Sequence, residues 1–111
     1  MNMIAERKLK LRTPDGVVDV PVRIFAPRGT NGAWLCRYEI GWPGELQVKQ
    51  AGGADSVQAL LIALQMIAAD IYTSSYHESG ALSLLADREG YGFPVVPSMR
   101  NILVGDDILY T

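Results

Sequence analysis

Two hydrophobic periods divide the chain. From Leu9 to Val48 apolar residues alternate with polar ones, and from Asp55 to Thr73 they recur every third or fourth position. Alternation puts successive side chains on opposite faces of a strand, whereas the longer period draws one stripe down a helix. Leu9 and Leu11 alternate with Lys8, Lys10 and Arg12, predicting a first strand. Thr13-Pro14-Asp15-Gly16 predicts a turn, since proline pre-sets φ and glycine accepts φ > 0. Val18, Val20, Val22 and Ile24 form the inward row of a second strand, with Asp19, Pro21 and Arg23 on its other face. Pro21 cannot donate to a ladder, so an unpaired edge or a bulge is expected there. Residues 27–32 read as a loop. Trp34, Cys36, Tyr38, Ile40 and Trp42 then alternate with Leu35, Arg37, Glu39 and Gly41, the strongest strand signal in the chain. Pro43-Gly44 breaks it. Leu46 and Val48 alternate with Glu45, Gln47 and Lys49 in a shorter fourth strand, which Gly52-Gly53 ends.

The helical stripe is Val57, Leu60, Leu61, Leu64, Ile67, Ala68 and Ile71. These residues are expected to face the core, Leu64 among them. Asp55 or Ser56 can cap the helix, and Gln58 completes a partial capping box. Thr73-Ser74-Ser75 ends it. The back of the helix is unusual. Ile62 and Met66 project there with Ala59, Ala63 and Ala69 around them, the only polar residues are Gln58, Gln65 and Asp70, and the helix holds no lysine or arginine. Such a face is expected to be covered, either by the C-terminal tail or by a second subunit. Beyond the helix, 76–80 reads as loop and 81–86 as a fifth strand or one more helical turn. Residues 87–92 are turn-rich, 93–97 extended, and 98–103 a short helix capped by Ser98.

The order β-β-β-β-α predicts an α+β fold: a four-stranded antiparallel meander packed on one long helix, with an irregular C-terminal extension. At 111 residues the chain is expected to be a single domain, 1–111. The first turn predicts a register in which Lys10 faces Asp19, Glu6 faces Arg23, Leu9 faces Val20 and Leu11 faces Val18.

Composition narrows the function classes. The formal net charge of −2 supplies no basic field, so no nucleic-acid partner is expected. Cys36 is the sole cysteine, which excludes an internal disulfide and fits a reducing compartment. The N-terminal segment, with Glu6, Arg7, Lys8 and Lys10, has no apolar core of a secretory signal. The apolar run of the helix is too interrupted to span a membrane. A soluble, cytoplasmic protein without membrane partners is the expectation.

Candidate chemistry is sparse. His77, beside Tyr76 and Glu78 and near Ser74, Ser75 and Ser79, has the residue types of a general base with an orienting carboxylate. The preferred reading is plainer: a loop histidine after a helix is solvated or suits that end of the dipole. Cys36 sits on the inward row of a strand, where cysteine acts as a small hydrophobe. Asp106-Asp107 brings too few oxygens for a cation. Gly90-Tyr91-Gly92 lacks the spacing of a phosphate loop and reads as a turn with an anchoring aromatic. Trp34, Tyr38 and Trp42 share one strand face, which makes them core or a possible ligand face. No catalytic residue, cofactor or metal is expected.

The helix sequence Asp55-Ser56-Val57-Gln58-Ala59-Leu60-Leu61-Ile62-Ala63-Leu64, the preceding Trp34-Leu35-Cys36-Arg37-Tyr38 strand and the later Gly92-Phe93-Pro94 resemble a family of small uncharacterised bacterial proteins carrying a domain of unknown function. The resemblance implies a fold and transfers no catalytic residue. The expected role is a non-catalytic protein–protein interaction module acting as a homodimer through Ile62, Met66 and Ala69. A small-molecule binding domain using Trp34, Tyr38 and Trp42 is the alternative, with a small hydrolase-like enzyme using His77 behind it.

Overall fold

Three two-residue turns set the strand pairing in the first half of the molecule. The computed structural model describes residues 2–85 and 90–95. Its elements are β1 (Met3–Thr13), β2 (Gly16–Phe25), β3 (Arg28–Thr30), β4 (Ala33–Trp42), β5 (Glu45–Gly53), α1 (Ser56–Tyr72), α2 (Ser75–Glu78) and β6 (Leu82–Ser83). The strands run in the order β3-β4-β2-β1-β6, with β5 paired to β4. The molecule is therefore α+β, as the two periods imply.

It differs from the expected four-stranded meander in two added strands. β3 comes from the segment read as a loop. Asn31-Gly32 turns with φ of 39° and 83°, the left-handed pair of a type I′ hairpin, and joins Thr30 to Ala33. β6 is two residues long, too short for any alternation to show, and pairs Leu82 with Leu11 and Ser83 with Lys10. The helix differs too. Instead of one long helix there is a 17-residue α1, about 26 Å long, and a separate single turn, α2. Thr73 and Ser74 return their hydroxyls to the carbonyls of Ala69 and Ile71, which ends α1. The Ser74 side chain then accepts from the His77 N–H and starts α2.

Two compact units share these elements: residues 2–7 with 20–64, and residues 8–19 with the described residues from 65 onward. In the first, the β2–β4 ladder runs Val22↔Ile40, Arg23↔Glu39 and Ile24↔Tyr38. Pro21 is not on an edge. Its ring sits where a side chain on Gly41 would be, 2.9 Å from the position of an added Cβ, so a glycine accommodates the proline inside the sheet. The Glu6–Arg23 pair forms as the hairpin register requires, at 2.7 Å. The core consists of Val20, Val22, Ile24, Cys36, Tyr38, Ile40, Trp42, Ala51, Ala59 and Ala63. Helix α1 starts with Asp55 accepting from the Gln58 N–H while the Gln58 amide oxygen accepts from Ala54 N–H. That is the expected capping reciprocity, shifted back by one residue.

The register of β5 is set by its turn. Pro43-Gly44, with Gly44 at φ 74°, pairs Trp42 with Glu45 and carries the count through to Trp34↔Gly53. Glu45, Gln47, Lys49 and Ala51 thereby share the face of Trp42, Ile40, Tyr38 and Cys36. Leu46 and Val48 fall on the other face and are exposed, Leu46 to 56%. A two-residue turn outranks the hydrophobic pattern here because register follows turn length. Gln47 is not wasted inside, since its side-chain oxygen accepts the Trp42 indole N–H at 2.7 Å.

The second unit holds the tip of the β1–β2 hairpin, where Lys10 pairs with Asp19 as expected. Val18, read as inward, is exposed at this tip, which lies beyond the β2–β4 ladder. Leu9, Leu11, Ile67, Ala68, Ile71, Tyr72, Leu82, Tyr91, Phe93 and Val95 are buried. Arg12 ties β1 to the chain after α2, through its backbone N–H to Ala81 and its guanidinium to the Gly80 carbonyl. The 98–103 helix and Asp106-Asp107 fall outside the described residues.

Candidate functional site

In its first half, helix α1 buries a different stripe from the one its sequence suggests. Ala59 and Ala63 are fully buried, while Val57 is 73% and Leu61 46% exposed. Leu60 and Leu64 are half-buried, so Leu64 is not a core residue. The cause is a close approach. A Cβ on Gly53 would lie 2.4 Å from the Ala59 nitrogen, so the end of β5 touches the helix backbone. Only small side chains fit beneath such a contact, and the two alanines take that position. The larger residues of the stripe are turned outward. Gln58 is the polar neighbour of Val57 and Leu61, and the only charged side chain of α1 is Asp70. The result is an uncharged apolar strip over the first two turns of α1.

The back-of-helix residues Ile62, Met66 and Ala69 are each half-buried. Trp34, Tyr38 and Trp42 differ in accessibility. Tyr38 is fully buried and Trp42 nearly so, while Trp34 is 37% exposed. The Trp34 ring covers Gly29, its cross-strand partner, 3.3 Å from where a Cβ would stand.

Cys36 is buried, with its thiol 3.4 Å from the Phe25 carbonyl. Burial pushes the thiol pKa up, the opposite of what a nucleophile requires. His77 is half-buried in the second unit. Its Nδ1 stands 2.5 Å from the Tyr91 hydroxyl, and its ring meets Tyr72 and Tyr91 edge-on at centroid distances of 4.8 and 5.5 Å. Tyr72 and Tyr91 also pack edge-on, at 5.3 Å. Three rings closing on one another hold the 90–95 segment by its anchoring aromatic, as the Gly90-Tyr91-Gly92 pattern suggests. Phe93 and Val95 are buried alongside. Among the described residues no three His, Cys, Asp or Glu side chains come together to hold a metal. Nor, among them, is any helix long and apolar enough to cross a membrane.

A family model described as a domain of unknown function, DUF6968, matches residues 5–95. The chain belongs to this family. Among the described residues the matched span takes in β2 to β6, α1, α2 and all but the first two residues of β1, and it ends at the buried Val95. No curated protein and no solved structure matches the chain significantly.

The sequence reading missed the outward strip on α1. Its signal was Gly52-Gly53 before a helix with Ala59 and Ala63 four residues apart. Small residues at that spacing mark a close backbone approach as readily as a surface does.

Proposed function

We propose that this chain is a non-catalytic interaction module that assembles as a homodimer through the first two turns of α1. The observation that carries this reading is the outward strip of Val57 and Leu61, flanked by the half-buried Leu60 and Leu64. A two-fold contact sets one patch against a copy of itself. That suits this patch, because it bears no charge to repel its copy or to lose water on burial. Ile62 adjoins the strip and belongs to the same contact. Only the helix strip is needed, so no catalytic group or cofactor enters the reading.

Light scattering coupled to size exclusion tests it. The parent chain is expected to run as a dimer at micromolar concentration and Leu61→Glu as a folded monomer, because a carboxylate buried without a partner is strongly disfavoured. A monomeric parent chain, or a dimer indifferent to Leu61→Glu, refutes the proposal.

A further inference from the structure

A basic groove lies on the opposite kind of surface, the outer face of the sheet in the first unit. It has a volume of about 380 Å³ and is lined by Arg28, Arg37, Val48, Lys49 and Gln50. A shallow continuation, lined by Ala26, Arg28, Leu35, Arg37 and Gln50, shares three of those residues. The register explains the clustering. Arg28 pairs across strands with Leu35, and Arg37 with Gln50. Leu35 and Arg37 are two apart on β4, so both arginines stand on one face as diagonal neighbours.

Internal partners leave this charge incompletely matched. Arg37 gives one N–H to Glu39 and rests its guanidinium over the Phe25 ring at 5.4 Å. Its Nε–H is buried with no hydrogen-bond partner among the described residues. Arg28 is exposed, and its guanidinium makes no ion pair or hydrogen bond to the described residues. Arg23, the next cation along this face, is already held by Glu6. Arg28 and Arg37 thus face one carboxylate, Glu39, an excess of one positive charge, in a chain whose net charge is −2. A second opening among the described residues differs. It is lined by Lys10, Arg12, Val17, Gly80, Ala81 and Ser83, but Lys10 is paired with Asp19 and Arg12 is bonded to the Gly80 carbonyl.

We infer that the Arg28–Arg37 groove binds a phosphate-class dianion. Guanidinium forks match phosphate oxygens in a planar, two-pronged geometry. A phosphate monoester carries about −1.5 to −2 at neutral pH, so it is drawn to the two guanidinium groups more strongly than a monoanion is. The exposed Val48 at the groove wall offers an apolar rest for the body of an ester.

Isothermal titration calorimetry in about 10 mM salt, where screening is weak, reads this directly. The probes are inorganic phosphate, phenyl phosphate and acetate. Both phosphates are expected to bind and acetate to bind at least about tenfold more weakly, since it has one charge fewer. Arg28→Gln and Arg37→Gln should each weaken phosphate binding about tenfold, while Lys10→Gln leaves it unchanged. Tighter phenyl phosphate marks an ester as the ligand, and tighter inorganic phosphate marks the free anion. Either result supports the assignment. Arg28 is exposed, so its variant keeps the fold and is informative even if Arg37→Gln does not fold. Absence of phosphate binding, binding unaffected by Arg28→Gln, or equal binding of acetate overturns the inference.

Discussion

Replacing Gly53 by alanine adds one methyl group at the tightest point of the first unit. The new Cβ would stand 2.4 Å from Ala59 N and 2.9 Å from both Ala59 Cα and Gln58 C. Carbon contacts settle near about 3.5–4 Å, so the start of α1 must retreat by roughly 1 Å. The obstructing atoms are backbone, which no rotamer change can move. Overpacking of this kind costs about 1–3 kcal/mol, and the site belongs at the upper end. Alanine also narrows the unfolded ensemble, which returns about 0.4–1 kcal/mol. The expected net loss is about 2 kcal/mol, a fall in Tm of roughly 8–12 °C for a chain of this length. Gly52→Ala is the matched control, because its nearest neighbour would be Leu35 Cδ2 at 3.9 Å, an ordinary contact. Parallel thermal melts by circular dichroism measure both. If Gly53→Ala melts with Gly52→Ala, the close approach of β5 to α1 is wrong, and with it the account of why Val57 and Leu61 face outward.

Ile67 is fully buried and Leu64 half-buried, so in urea melts Ile67→Ala should cost about 2–5 kcal/mol and Leu64→Ala clearly less; equal losses would restore Leu64 to the core. Tyr91→Phe removes the hydroxyl beside His77 Nδ1 and should cost about 0.5–1.5 kcal/mol, with His77→Ala costing at least as much because the ring contacts go too; a neutral His77→Ala would return the histidine to a solvated loop. Native Cys36 should resist Ellman's reagent and react once the chain is unfolded. Its raised pKa keeps the folded thiol protonated while the unfolded one ionises near about 8.5, so stability should decline as pH rises past that value. Lys10 depresses the Asp19 pKa. Its contribution is therefore present above the ordinary carboxylate value of about 4 and lost as pH falls below it, and a difference between parent and Asp19→Asn that survives high salt would refute this exposed pairing.

Much of the architecture is legible in the residues. Period-two alternation locates the strands that became β1, β2, β4 and β5, and the 3.6 period locates α1. Both charged pairs of the first hairpin follow from its turn. The failures share a cause: local geometry overrode the hydrophobic pattern. At Leu46 and Val48 a two-residue turn set the facing, and at Val57 and Leu61 a glycine–alanine contact did. β3 was readable from Asn31-Gly32, a hairpin signature inside what looks like loop. β6 and α2 were not, since two strand residues and one helical turn are too short to carry a period. The basic groove is invisible along the sequence because Arg28, Arg37 and Gln50 meet only through cross-strand register.

The Pro43-Gly44 turn works as a length gauge. A three-residue turn drawn from the same sequence, Pro43 to Glu45, would pair Trp42 with Leu46 and reverse the parity of β5, carrying Leu46 and Val48 to the face of Trp42 and Ile40 and Gln47 to the other. That alternative is the one the hydrophobic code of β5 prefers, so the strand carries a latent second reading of itself. Turn length keeps the chain from it, two residues rather than three, together with the Trp42–Gln47 hydrogen bond made in the observed register. The longer turn would take Leu46 and Val48 off the outer face, and it would dismantle the Arg37–Gln50 pairing without touching either residue.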